Sequence, residues 1–163
     1  MSDGRGALVL ELTWDLRAPR ERVFEALVEP TALAAWWGPA GFAVPEIEIE
    51  PTTGGRYRFR MQPPEGELFH LTGEFVEVQP PRLLAYTFRW EPPDPDDRET
   101  TVRLSLDDLG GRTRLALSQG EFLTGSRLEL HRGGWQDSVT KLRRLVEDDG
   151  TRRSAPLGTK PQR

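Results

Sequence analysis

The stretch Leu128–Val146, LELHRGGWQDSVTKLRRLV, places Leu128, His131, Trp135, Val139, Leu142 and Leu145 at steps of three and four. That spacing predicts one long amphipathic helix of about two dozen residues. Its apolar face, with Val146 beside Leu145, needs a partner surface. Gly133-Gly134 interrupts the pattern at a cost of about 1 kcal/mol per glycine relative to alanine, which points to a close approach or a kink. The segment from Asp149 onward has no apolar period, and it reads as a polar tail, 149–163, without fixed structure.

Upstream of this helix the period changes to two. From Gly41 to Gln119, strands are marked by Val44/Ile47/Ile49, Tyr57/Phe59/Met61, Phe69/Leu71/Phe75, Leu84/Tyr86/Phe88/Trp90, Val102/Leu104/Leu106 and Leu115/Leu117. Turn residues separate them: Gly54-Gly55, Pro63-Pro64-Glu65-Gly66, Pro80-Pro81, the acidic loop EPPDPDDRE (91–99) and Gly110-Gly111. Pro45 marks an edge or a bulge, and Gly73 a bulge or sharp bend. Arg56, Arg58 and Arg60 alternate outward and face Glu46, Glu48 and Glu50, the pattern of a solvated sheet face.

The chain opens on a further strand with Leu8, Leu10, Leu12, Trp14 and Leu16 on one face. Two short helices follow. Pro19 precedes the stripe Val23, Phe24 and Leu27; Pro30 precedes Leu33, Trp36 and Trp37, and Gly38-Pro39 ends the run.

Strand, two short helices, about six further strands and one long helix make an α+β domain. The curved antiparallel sheet of six to seven strands wraps around the final helix, because an open sheet must cover its apolar face. The domain spans 8–148, with an N-terminal extension at 1–7. The inward positions are aromatic: Trp14, Tyr57, Phe59, Phe69, Tyr86, Phe88 and Trp90. One helix against a deep concavity leaves an apolar cavity, the general form of a small-molecule site; the alternative is that these rings fill a dry core.

Composition limits the remaining possibilities. With no cysteine, disulfides, thiolate nucleophiles and cysteine zinc sites are excluded. A net charge of −4 argues against a nucleic-acid partner. No apolar run approaches the roughly 18 residues of a membrane span, so no membrane insertion is expected. The start, MSDGRGALVLELTW, lacks the basic and apolar regions of a signal peptide, so a cytoplasmic location is expected.

The segments PRERVFEALVEPTALAAWWGPAGF (19–42), GGRYRFRMQPPEG (54–66), GEFVEVQPPRLLAYTF (73–88) and HRGGWQDSVTKLRRLVE (131–147) occur in this order. Together they resemble the AHSA-type (activator of heat-shock ATPase homologue) branch of the SRPBCC, or START-like, superfamily. The resemblance implies the helix-grip fold, a hydrophobic pocket and a link to the stress response. Cochaperones of this branch carry an additional N-terminal domain that grips the chaperone. This chain begins about eight residues before its first strand, so a chaperone interaction is not expected.

The expected ligand-binding residues are Trp37, Phe42, Tyr57, Phe59, Phe69, Tyr86, Phe88, Trp90, Leu104, His131 and Trp135. His131 shares a helix face with Trp135 and either meets a ligand as donor, acceptor or acid–base group, or packs as an ordinary helix histidine. Tyr86 and Tyr57 either orient a ligand or bond a backbone carbonyl. Of Trp36 and Trp37, one is expected to gate the mouth and the other to pack beneath the sheet. His70 points outward, and the 91–99 loop reads as a solvated hairpin end.

Two distant histidines give no metal motif, no glycine-rich phosphate loop occurs, and no G-x-S-x-G elbow accompanies Ser105, Ser118, Ser126 or Ser138. No metal, cofactor or catalytic residue is assigned. The expected function is binding of a small hydrophobic or amphipathic molecule, lipid-like or an aromatic metabolite. The alternatives are a polyketide cyclase or aromatase using His131 or Tyr86, and a module modulating a chaperone ATPase. A homodimer covering the edge strands is a further expectation.

Overall fold

The computed structural model describes residues 7–154, with side chains described to Glu147. Strand β1 (Leu10–Leu16) leads into helices α1 (Arg20–Val28) and α2 (Pro30–Trp36). Strands β2 (Ala43–Ile49), β3 (Arg56–Gln62), β4 (Phe69–Gln79), β5 (Leu83–Glu91), β6 (Thr100–Asp108) and β7 (Thr113–Gly120) follow, and helix α3 (Gly125–Ser154) closes the chain. The seven strands form one antiparallel sheet in the order β1-β7-β6-β5-β4-β3-β2, so β1 and β2 are its edges. This is the α+β helix-grip arrangement that the element order predicts. No helix among the described residues is long and apolar enough to cross a membrane.

Leu128, Trp135, Val139, Leu142 and Val146 of α3 are buried, which fixes the face the helix turns to the sheet. α1 and α2 pack against α3, and α2 also packs against β2. Glu29 caps α2 by accepting from the amides of Thr31 and Ala32, with Pro30 at the first helical position. Near its far end, α3 is tied to the β1–α1 connection: buried Glu147 accepts from the Arg17 amide at 2.8 Å and from its guanidinium at 3.2 Å. Arg143 donates to the Asp15 carbonyl at 2.9 Å.

α3 continues as helix to Ser154, past the boundary at 148 that the loss of apolar period suggests. Residues 1–6 of the expected extension and 155–163 of the expected tail lie outside the described residues.

The outer face matches the charge pattern. Glu46 lies opposite Arg60 and Glu48 opposite Arg58, with the Arg60–Glu46 pair at 3.3 Å. Such exposed pairs contribute little each, at most about 1 kcal/mol, and serve mainly to keep this face in water. β2 is an edge strand with a register shift between Ala43 and Glu46, so Pro45 sits where both an edge and a bulge tolerate it.

Gly73 differs from expectation in an instructive way. The β4–β5 register shift falls between Phe75 and Glu77, not at Gly73. At Gly73 a Cβ would instead fall on the Thr87 carbonyl oxygen and the Tyr57 ring. The Tyr57 hydroxyl donates to that same carbonyl at 2.6 Å, and the Glu74 amide donates to the Thr87 hydroxyl at 2.9 Å. Side-chain bonds thus replace ladder bonds here, and the Tyr57 ring lies against a position that only glycine admits. We expect Gly73→Ala to cost about 3 kcal/mol through overpacking, and Tyr57→Phe only about 1 kcal/mol. Urea unfolding of both variants checks this; equal losses would show that the ring does not occupy the glycine's space.

Candidate functional site

Between α3 and the sheet the interior divides in two. Around Leu27, Leu33, Trp37, Tyr57, Phe59, Phe75, Leu84 and Tyr86 the packing leaves a void of about 10 Å³, no more than a single water requires. Toward the start of α3 the packing opens into a hollow of about 770 Å³. Its walls come from the α2–β2 connection (Trp37, Pro39, Phe42), the β3–β4 hairpin (Met61, Leu68, Phe69), the end of β5 and its loop (Phe88, Trp90, Pro92), and α3 from Arg127 to Ser138. The cavity and the filled core are therefore both real, at opposite ends of the same interior.

Of the expected ligand-binding residues, the structure brings Trp37, Phe42, Phe69, Phe88, Trp90, His131 and Trp135 together in this hollow. Tyr57, Phe59, Tyr86 and Leu104 are buried in the packed part and do not line it. They point inward as their strand positions predict, and Leu27, Leu33 and Trp37 close the packing around Tyr57, Phe59 and Tyr86. Burial pushes both tyrosine hydroxyls far above their ordinary pKa.

Six of the lining rings form a continuous chain, edge-to-face at every link except the tilted Phe88–Trp37 contact. Phe42 meets Phe69 at 6.2 Å, Phe69 meets Trp90 at 5.2 Å and Trp90 meets Phe88 at 5.0 Å. Phe88 lies 6.5 Å from Trp37, which meets Trp135 at 5.3 Å. Each such contact fixes a ring plane, so the wall has a defined shape. Neither tryptophan of the Trp36-Trp37 pair gates the mouth. Trp36 is 1% exposed and donates to the Ala26 carbonyl at 2.8 Å, whereas Trp37, at 7%, forms the back wall.

Pattern reading missed the groups that hold α3 over the hollow. The Ser138 hydroxyl accepts from the Gly38 amide at 3.0 Å and donates to the Gly38 carbonyl at 3.1 Å; Asp137 accepts from the Ala40 amide at 3.1 Å. Trp135 donates to the side-chain oxygen of fully buried Gln119 at 2.7 Å, and Gln119 donates to Thr100 at 2.9 Å. No spacing rule finds these, because each joins residues far apart in the chain. Gly133-Gly134 was the available signal. A Cβ on Gly133 would meet nothing within 4 Å, and one on Gly134 would meet only Pro39, at an ordinary 3.7 Å. No partner presses on these glycines; they pare the helix down where it borders the hollow.

The acidic loop is a largely exposed hairpin end between β5 and β6, and it also holds α3. Asp94, Asp96 and Asp97 surround the Arg127 guanidinium, with Asp94 at 3.6 Å, Asp96 at 3.8 Å and Asp97 closer still. The cation these carboxylates hold is the chain's own. Among the described residues no group of histidine and carboxylate side chains forms a metal site.

His131 sits among Phe88, Trp90 and Phe122, at ring distances of 5.3, 5.8 and 4.8 Å. Its Nε2 accepts from the Trp90 indole at 3.3 Å, which requires an unprotonated nitrogen there. Burial, with the nearby Arg127 charge, pushes its pKa down to about 4, against a smaller opposing pull from Asp97. A second concavity, about 680 Å³ around Arg56, Arg58, Glu74 and Arg89, is lined mainly by charged and polar residues, with Ile49 and Tyr57 among them.

The His131 pKa has a consequence for stability. Between its unfolded value near 6.5 and about 4, only the unfolded chain binds the proton, so this group's contribution is full above pH 6.5 and is lost as pH falls toward 4. The loss approaches about 3 kcal/mol at its limit. His131→Phe should therefore lose less stability than the parent between pH 7 and 4.5 in urea titrations. Identical pH slopes would contradict the buried neutral imidazole.

Comparison with known proteins agrees with this architecture. The structure resembles protein CV1439 from Chromobacterium violaceum (28% identity, TM-score 0.76, covering 85% of this chain and 96% of that one). It also resembles the AHSA1 protein SPO3351 from Silicibacter pomeroyi (27%, 0.75, 86% and 99%) and protein NE0264 from Nitrosomonas europaea (26%, 0.74, 88% and 97%). No curated protein matches the chain. Residues 17–147 match the family described as "Activator of Hsp90 ATPase homolog 1-like protein", and the chain belongs to that AHSA1 family.

Proposed function

We propose that this protein binds a small hydrophobic or amphipathic molecule, lipid-like or aromatic, in the hollow between α3 and the sheet. The observation that carries the reading is the 770 Å³ space itself, walled by a chain of aromatic rings. That volume falls within the range of about 300–1,000 Å³ of small-molecule sites.

A cyclase or aromatase has less to stand on. Tyr86 lies in the packed core, away from the hollow, and His131 is neutral near pH 7 with Nε2 engaged by Trp90. A proton donor needs a charged or free acid within reach of substrate.

Because Trp37, Trp90 and Trp135 line the hollow, their fluorescence reports occupancy. The neutral probe N-phenyl-1-naphthylamine should bind with one site per chain and quench this emission. Gly134→Leu, whose side chain would leave α3 beside Pro39 in the lining, should weaken binding at least tenfold while raising helix stability by about 1 kcal/mol. Absence of probe binding to the parent, or undiminished binding to a folded Gly134→Leu variant, would refute the proposal.

A further inference from the structure

The hollow has a chemical polarity beyond its apolar wall. Its lining carboxylates are Glu67, Asp94, Asp97, Glu129 and Asp137, and its lining cation is Arg127. Arg127 has no charge to spare, since its half-enclosed guanidinium is shared among Asp94, Asp96 and Asp97. Glu129 is balanced by Arg132 at 3.0 Å, outside the lining. Asp137 bonds only the Ala40 amide, with Lys141 one helical turn away, and exposed Glu67 makes no ion pair among the described residues. The mouth is negative, and the indoles of Trp37, Trp90 and Trp135 line the hollow below it. Indole faces attract ammonium groups more strongly than any other side-chain ring.

We infer that the hollow selects amphipathic cations, molecules with an apolar body for the aromatic wall and an ammonium or quaternary amine for the acidic mouth. The inference rests on the binding proposed above and gives it a ligand class. Charge complementarity and ring faces point the same way: a cation gains from both, a neutral chain only from the wall. An anion meets Glu67 and Asp137 at the entrance and must compete with three aspartates for Arg127. Neutral His131 adds no opposing charge inside.

Three probes with the same ten-carbon chain separate these terms: decyltrimethylammonium, decanol and decanoate, each titrated against the full chain by tryptophan fluorescence at low and moderate salt. Decyltrimethylammonium should bind at least tenfold more tightly than decanol, with decanoate weakest. Added salt should weaken the cation alone. The double variant Glu67→Gln with Asp137→Asn keeps the acceptor to Ala40; it should lose at least threefold in affinity for the cation and none for decanol. Gly134→Leu, beside Pro39 in the lining, should weaken all three probes. Decanol binding as tightly as the cation would overturn the selectivity and leave the apolar site standing. Decanoate binding most tightly would overturn it in favour of an anion read by Arg127. Cation binding that survives Gly134→Leu would place the interaction on the surface and also overturn the inference. Failure of all three probes while N-phenyl-1-naphthylamine binds would reject amphipathic cations alone; failure of that neutral probe as well would remove the binding site itself.

Discussion

One helix has to cover the concave face of seven strands, and its side chains cannot fill that concavity along its whole length. Volume sets the outcome. Where α1 and α2 lend Leu27, Leu33 and Trp36 to the interior, the rings of β3, β4 and β5 pack to a residue of about 10 Å³. Where those helices end, toward the start of α3, the rings do not close on the helix, and about 770 Å³ stays open. The boundary between the two regimes is Trp37, which touches Trp36 and Phe59 on the packed side and Phe88 and Trp135 on the open side.

An apolar hollow of this size would collapse if its roof could settle onto its floor. The roof is therefore clamped by directional bonds rather than by packing alone. Ser138 grips both polar groups of Gly38, Trp135 hangs from the buried Gln119–Thr100 pair, and Arg127 anchors the 91–99 loop. Buried and satisfied, each such bond contributes about 1 kcal/mol, but leaving a partner unpaired costs more, which resists any sliding of α3. Edge-to-face ring contacts fix the wall in the same directional manner. The hollow is a product of rigidity.

Local periodicity made the fold legible. The step of three and four from Leu128 to Val146 and the alternation in each strand are properties of neighbouring residues, and the facing Arg and Glu triplets of β2 and β3 meet in the structure as Glu46/Arg60 and Glu48/Arg58. The site was legible only in part, for a reason of scale. Alternation tells that Tyr57, Phe59, Tyr86 and Leu104 point inward, but not which inward-facing residues another element covers. That depends on where α2 lands, a long-range matter. The same holds for Arg127, whose partners lie about thirty residues earlier in a loop that, taken alone, reads as solvated. Gly133-Gly134 was visible and its cost correctly felt; the reason lay in missing neighbours, which no sequence displays.

His131 shows how the same geometry limits chemistry. A histidine on the inner helix face invites an acid–base role, because its ordinary pKa lies near neutrality. Here the rings that shape the hollow also strip water from the imidazole, and the Trp90 indole occupies Nε2. Both effects favour the neutral form, and Arg127 next to it adds to them. The features that make the space hospitable to an apolar guest thus remove the charge that proton transfer would use. Polarity is displaced to the mouth, where Glu67 and Asp137 remain in water and carry their charge cheaply. An aromatic interior with its charge confined to the rim discriminates among guests by what they leave at the entrance.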